Sequence, residues 1–401
     1  MIVWGMSGEP VIIVGAGIGG LTAALALLRR GIEVEVYEQA PELRELGAGV
    51  QISANGTRVL HALGLKAALE ACAVKARSKE IRHWKTGRTW KLFDLGVESE
   101  QRYGAPYIFI HRGDLHRVLA QAVRQVKPDA IHLHAPCAGL EQAGDHVVVQ
   151  FAGGAPVRGR VLIGADGVHS AVRACVFGAG RPEFTGCMAW RAVIPAERLP
   201  KGIPMAGTNW QGPGRHIVHY PLRRGEVLNF VGMVDRDWRI ESWTAQGTPE
   251  ECRADFAGWH EDIRAIVEAI DVPYKWALTV RQPMTRWSRG RVTLLGDACH
   301  STLPDLAQGA CMAIEDAYVL ARCLHAYGDD HARAFERYEA ARIPRTTRIV
   351  EGSAAAKSRF HDQRLADDAA ADSYISAQYT QQRIEDRYHW LFVYDATSVE
   401  I

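Results

Sequence analysis

An excess of charge of either sign is the first thing this sequence lacks. Its 401 residues carry 47 Lys and Arg against 46 Asp and Glu, a formal net charge of +1. That balance sets up no field to steer the chain onto nucleic acid or an anionic membrane. The eight cysteines (72, 137, 175, 187, 252, 299, 311, 323) form no CxxC pair. Their isolation argues against a zinc site or a disulfide framework and suits a reducing compartment. No run of about 18 uninterrupted apolar residues occurs, so no membrane span is expected. The start, "MIVWGMSGEPVIIVGAGIGG", has no basic stretch before its apolar run, and it reads as a first strand rather than a signal peptide. Repeats are absent, and low complexity is confined to the Ala-rich 354–371. The expectation is a cytoplasmic protein, monomer or homodimer, with no nucleic-acid or membrane partner.

What is present is an interleaving of two patterns. "VIIVG", "GIGGLTAALALLRRG" and "IEVEVYE" (11–38) read as strand, apolar helix and strand, a βαβ crossover on a parallel sheet. "VLIGADGVHSAVR" (161–173) and "RVTLLGDACHSTLPD" (291–305) repeat the strand-to-glycine-turn pattern. Between them, 77–110 and 184–280 are rich in strand-like pieces and tryptophans, among them Trp84, Trp190, Trp210, Trp238, Trp243 and Trp259. The fold expected is α/β: a split Rossmann-like domain (1–76, 104–180, 281–350), an inserted mixed β-sheet domain (77–103, 181–280) and a helical C-terminus (351–401). A hairpin is expected in "HIVHYPLRRGEVLNFVGMV", turning at Arg223–Glu226.

"GAGIGG" places Gly15, Gly17 and Gly20 at GxGxxG spacing. Gly15 permits the tight turn, Gly17 lets a pyrophosphate approach, and Gly20 lets helix pack on strand. The helix N-terminus then offers free N–H groups to phosphates. Glu38 ends the second strand 23 residues after Gly15, where an acid accepts ribose hydroxyls. This much fits NAD or FAD equally. In "LLGDACHSTLPD", Asp297, Cys299 and His300 invite a metal or nucleophile reading. A strand running into a loop does not make its residues converge, so Cys299 and Cys311 are expected as small buried hydrophobes and no metal is expected. Asp297 instead falls at a strand's carboxyl end, and "QGACMAIEDAYVLARCL" follows as a helix whose N-terminus favours negative charge.

"GAGIGG", "GADGVHSAVR" (164–173) and "GDACHSTLPDLAQGACMAIEDA" (296–317), in that order, resemble the single-component FAD-dependent aromatic hydroxylases. The resemblance spans essentially the whole chain. "LGVESEQRYGAPYIFIHRGDLH", "GPGRHIVHYPLRRGEVLN" and "WLFVYDA" are similar to 3-hydroxybenzoate 6-hydroxylases and salicylate hydroxylases. The resemblance implies FAD, with NADH or NADPH as co-substrate, and O2 delivered to a small aromatic acid through a flavin C4a-hydroperoxide. It implies that Asp297 holds the ribityl or pyrophosphate part, that Arg112 contacts the cofactor, and that the backbone at Gly309 and Ala310 opens a helix under the flavin. Gly49 and Gln51, after "LRELGA", would pass the flavin, and Asp166 belongs to a motif serving FAD and NAD(P)H. No second GxGxxG follows a strand, so the nicotinamide has no Rossmann site of its own.

Alternation puts His216, Val218 and Tyr220 on one face of the hairpin, Ile217 and His219 on the other. His216 matches a substrate-side histidine of the 3-hydroxybenzoate enzymes and is the candidate base, Tyr220 its hydrogen-bonding neighbour; the plain alternative is a half-exposed strand histidine. Pro304 and Asp305 stand where those enzymes carry glutamine and an aromatic. "HSTLPD" is instead similar to urate hydroxylases, in which Arg215 would be a substrate-binding arginine. An Arg215–Asp305 pair suits a polar heterocycle or is an ordinary salt bridge, and a benzoate carboxylate also suits Arg215. Urate-type or 6-hydroxynicotinate-type substrates and a non-catalytic FAD-fold binder are the competing readings.

Overall fold

A computed structural model describes residues 8–43, 48–203, 205–240, 242 and 244–401. The first seven residues of the expected opening strand, residues 44–47 of "LRELGA" and Trp243 lie outside them. Strands Val11–Val14, Val161–Gly164 and Val292–Leu294 are buried throughout, as aliphatic strands of a helix-covered parallel sheet are. With Val34–Tyr37 and Ile131–His132 they pair in parallel, and Ser288–Arg289 adds an antiparallel edge. The register sets Val14 opposite both Tyr37 and Gly164, and Gly164 opposite Leu294. Gly15, Glu38, Asp166 and Asp297 therefore leave the sheet at one edge, its carboxyl end, where ligands of such sheets bind.

Helix Ile18–Leu28 is buried on nearly every side. A Cβ on Gly19 would sit 2.7 Å from Leu295 Cδ1 and 3.2 Å from Ala313 Cβ, so glycine there lets helix Gly309–Tyr327 come close. Gly31, at φ +74°, follows the helix in the left-handed conformation that ends helices.

The second sheet runs in the order Tyr274–Val280, Glu183–Pro195, Val227–Asp235, Arg215–Leu222, Gly207–Gly212, Ser78–His83, Thr89–Asp94. Helices Pro249–Asp255 and Glu261–Glu268 cover one face through Trp190, Trp210, Ile217, Phe230, Phe256 and Ile263. The hairpin turns at Arg223–Gly225, as expected. The other face meets the first domain and the tail: Tyr220 packs with Phe109, and Met233 with Leu303. A small sheet of Gly49–Ile52, Ile108–His111 and Val74–Lys75 lies at this junction.

An antiparallel meander, Cys137–Ala143, His146–Phe151 and Val157–Gly159, occupies a stretch to which the sequence reading assigned no element. The tail is helical, but helix His331–Phe360 runs unbroken through residue 350. The expected boundary there is corrected: one helix belongs to both halves.

Candidate active site

The glycine turn is built from close approaches. Gly15 has φ +103°, and a Cβ on it would lie 2.5 Å from Ala165 O; a Cβ on Gly20 would lie 2.0 Å from Gly15 O. Gly17 is different, because a Cβ there meets nothing within 4 Å. It is the N-cap of Ile18–Leu28, whose first turn carries no acid and no side-chain cap. Free N–H groups and the positive helix end thus face open space. Beside it, the Glu38 carboxylate accepts Ala16 N at 2.8 Å and Ala40 N at 2.9 Å, with lone pairs left for hydroxyl donors.

At the third strand end, Gly296 adopts φ +63° and Asp297 follows it, exposed. The next residues turn inward. Cys299 is 1 % exposed, its thiol pushed up by burial, and His300 Nε2 lies 2.5 Å from Asp316 Oδ2. Cys311 is also buried, 3.5 Å from Ser53 Oγ. Helix Gly309–Tyr327 again starts without an acid or a side-chain cap. Its leading loop is pinned: Gln308 Oε1 accepts Asn55 Nδ2 at 3.0 Å, and Asn55 donates to Glu315 at 2.6 Å.

Asp166 stands at the same edge, but its carboxylate accepts Ser170 Oγ at 2.6 Å and Val172 N at 3.1 Å. It serves its own turn, and burial, outweighing these bonds, raises its pKa. Arg173 ties this segment to the next, donating to Ala298 O at 2.7 Å. Gly49 N donates to Asn229 Oδ1 at 2.6 Å, and a Cβ on Gly49 would meet Tyr220 Cε2 at 2.6 Å. Gln51 Oε1 accepts Tyr107 OH at 2.7 Å. Arg112 opens its helix with N bonded to Ala48 O at 2.9 Å. Its guanidinium adds to the burial that lowers Arg191 to about 10.

Across the hairpin, His216 is fully buried, with Nε2 at 3.6 Å from Asp305 Oδ1 and Nδ1 at 2.7 Å from His361 Nε2. Burial and then the charges of His361 and Lys357 push His216 well below its ordinary pKa. Burial raises Asp305 to about 7. Neither Asp305 oxygen has a hydrogen-bond partner among the described residues. The two side chains are in contact at 3.6 Å without a hydrogen bond, and burial disfavours the charge on each.

Two expectations fail here. Arg215 does not reach Asp305; it turns to the opposite face of its strand and donates to Asp255 O. Nor is Tyr220 a hydrogen-bonding neighbour of His216. Four residues of strand set them about 13 Å apart along the chain, and Tyr220 belongs with Gly49 and Phe109 instead, 5.0 Å from the latter ring. Pro304 opens the short turn Pro304–Leu306 that carries Asp305 to His216.

The family model described as FAD binding domain matches residues 9–353. The chain belongs to that family. A 3-amino-4-hydroxybenzoate 2-monooxygenase of Streptomyces platensis is 39% identical over 97% of this chain and 97% of its own length. A 3-hydroxybenzoate 6-hydroxylase of Polaromonas naphthalenivorans is 37% identical over 96% and 95%. The crystal structure of Klebsiella pneumoniae HpxO complexed with FAD and uric acid superposes with TM-score 0.83 at 26% identity, covering 96% of this chain and 98% of that one.

This flavoprotein is an FAD-dependent monooxygenase of aromatic rings, a class that uses NAD(P)H as co-substrate. Its residues fit the cofactor: open space before Gly17, an acid at the second strand end, and an exposed Asp297 at the third. No helix among the described residues is long and apolar enough to cross a membrane.

Sequence reasoning missed two groups. Asp316, Glu315, Arg342 and Arg345 form a buried ionic cluster behind the Gly296 turn, with Arg342 Nε 2.7 Å from Asp316 and Arg345 Nε 2.8 Å from Glu315. Adjacent acids in an apolar helix were its signal. His361 had none, being 145 residues from His216 in the chain.

Proposed function

We propose that the flavoprotein hydroxylates a small aromatic acid that already bears a ring hydroxyl, a hydroxybenzoate-type substrate. The buried His216–Asp305 pair carries this reading. A ring becomes a better nucleophile as its hydroxyl loses a proton, and a dry pair with a carboxyl near pH 7 accepts that proton at neutral pH. Both curated relatives cited above act, by name, on hydroxybenzoates.

When bound, FAD supplies hydride acceptance from NADH or NADPH and activation of O2. Gly15, Gly17, Gly20, Glu38, Arg112, Asp297, Gly309 and Ala310 hold it, Gly49 and Gln51 flank it, and Asp166 braces the turn between. Residues 77–103 and 181–280 carry the substrate side. There Tyr220 supports the wall against Gly49, and Pro304 aims Asp305 at the ring.

One observation favours a second reading. Two unpartnered, buried carboxyl oxygens on Asp305 also suit the ring N–H of a heteroaromatic substrate such as urate or 6-hydroxynicotinate. NADH and NADPH oxidation by the purified holoenzyme, with product analysis, decides between them. The panel is 3-hydroxybenzoate, 3-amino-4-hydroxybenzoate, salicylate, 6-hydroxynicotinate and urate. Stimulation with a hydroxylated product from a benzoate supports the first reading, and from urate or the pyridine alone the second. FAD bound without stimulation by any of them sinks both.

A further inference from the structure

The strand register leaves a gap in the wall that faces the cofactor domain. Gly207 stands beside Lys79 and, one step beyond the Thr208–His219 pair, opposite Tyr220. All three share a face of the sheet, and the middle one has no side chain. A Cβ on Gly207 would sit 2.6 Å from Phe109 Cζ and 3.4 Å from Lys79 Cγ, so the Phe109 ring and the lysine stem close over it. Two residues along, Asn209, Val218 and Val231 lie side by side on the same face. Each is partly exposed, although His216 and Tyr220, on either side of Val218, are buried. Asn209 Oδ1 has no hydrogen-bond partner among the described residues. This row is the floor of an internal cleft, with Lys79 at one end and His216 and Asp305 at the other.

Lys79 Nζ donates to Tyr107 OH at 3.3 Å and lies 5.3 Å from the centre of that ring. Tyr107 OH donates onward to Gln51 Oε1 at 2.7 Å. No carboxylate among the described residues pairs with this ammonium. Glu80, next in the chain, points to the opposite face and meets Arg82 at 3.3 Å. Burial alone lowers Lys79, to about 8, so the charge is still present at neutral pH, with N–H donors to spare. A buried charge without a counterion is costly, and an anion brought by a ligand removes that cost.

We propose that Lys79 is the carboxylate anchor of the substrate cleft: it binds the acid group of the ring substrate, the ring lies over Val218 and Val231, and the ring hydroxyl is turned to His216 and Asp305. The inference rests on the hydroxybenzoate-type reading above and adds the end by which the substrate is held. Four residues of strand and two strand spacings separate the Lys79 and His216 backbones, about 16 Å on the diagonal. The lysine and imidazole side chains narrow that to the span of one substituted benzoate. Tyr107 lies within electrostatic reach of Tyr220 and Tyr388, and Tyr388 within reach of Asp305, which sets both ends on one cleft. The other cation of the cleft, Arg359, stands at the far end beside Tyr388 and Asp305. A ring without an acid group leaves the Lys79 ammonium buried and unpaired, so the anchor selects for ring acids.

The test sets each acid against its own carboxamide, which has nearly the same shape and no charge. Kd values for 3-hydroxybenzoate, 3-amino-4-hydroxybenzoate, salicylate and 6-hydroxynicotinate, and for their amides, are read from the flavin absorbance of the FAD-loaded enzyme. The wild type is expected to bind at least one acid about 30-fold more tightly than its amide, the worth of a hydrogen bond to a charged group. Lys79→Met keeps the length of the side chain. It is expected to abolish that preference by weakening the acid alone, with FAD content unchanged and the melting temperature no lower. Lys79→Gln is expected to do the same. A preference that survives in both variants, equal weakening of acid and amide, or a preference lost in Arg359→Gln instead, overturns the anchor. A wild type that binds urate and none of the acids overturns the substrate reading and the anchor with it, a failure read before any variant is made.

Discussion

Arg342 donates to Asp316 at 2.7 Å in a core that hides both side chains completely from solvent. Asp316 in turn accepts Gly296 N at 3.1 Å and meets His300 at 2.5 Å, so one ion pair fixes the turn that presents Asp297. Burial disfavours all these charges, yet Glu315 and Asp316 hold Arg342 firmly protonated. Replacing Arg342 by Met leaves Asp316 without its arginine and Glu315 with Arg345 alone. The expected loss is about 3–5 kcal/mol of folding stability, read by chemical denaturation, together with weaker FAD retention. An unchanged denaturation midpoint would remove the cluster from this role.

Gly17 and Gly20 should separate folding from cofactor binding. Gly20→Ala drives a Cβ into Gly15 O, at 2.0 Å, and is expected to lower expression and stability. Gly17→Ala has open space around it and should fold normally. It should nonetheless raise the FAD Kd about tenfold or more, roughly 1.4 kcal/mol, because the added methyl stands where a phosphate approaches. Fluorescence titration of the apoprotein with FAD reads the difference.

Asp305 gives stability a pH signature. Its folded pKa, raised by burial to about 7, stands above its ordinary 3.8. Its contribution is therefore fully present below about pH 4 and is lost as pH rises to about 7, where it levels off. The difference between wild type and Asp305→Asn should change by on the order of 4 kcal/mol across that window. Paired urea titrations at several pH values cancel the other groups. A flat difference between pH 4 and 7 contradicts the raised carboxyl. In turnover, kcat/KM should rise with pH through the same region, and Asp305→Asn should flatten that limb.

Arg215 should matter little to substrate. It faces away from Asp305 and holds Asp255 O. Arg215→Gln is expected to cost about 1 kcal/mol of stability and to leave KM within about twofold. A KM increase of tenfold or more would return Arg215 to the substrate pocket.

Much of the cradle was legible because its chemistry is local. A glycine turn after an aliphatic strand says where a phosphate fits, and three such turns foretell the strand ends that the register places side by side. The substrate wall was half legible. The alternation that puts His216 and Tyr220 on one face also puts Arg215 on the other, yet similarity to urate hydroxylases had paired Arg215 with Asp305. Parity along a strand was the stronger constraint. Tyr220 shares His216's face but lies too far along it to touch, a distance that two-residue periodicity does not report. Asp166 was named through a motif of the resemblance, and a motif does not report that each of its oxygens accepts a hydrogen bond within its own turn, from Ser170 and Val172. His361 was invisible for a third reason: only the path of a long helix brings it to a strand 145 residues earlier.

That helix, His331–Phe360, spans 30 residues, about 45 Å of rod. Arg342 and Arg345 anchor one stretch of it behind the cofactor turn, and its far end delivers Lys357 and His361 to Asp235. The cofactor turn and the buried His216 are thus surveyed from one ruler. An insertion of a single residue between Arg345 and Lys357 would turn every later side chain by about 100° and swing His361 off His216, while leaving the glycine turn untouched. Loops on the hairpin side are open to remodelling for new rings, but the length and phase of this helix are not.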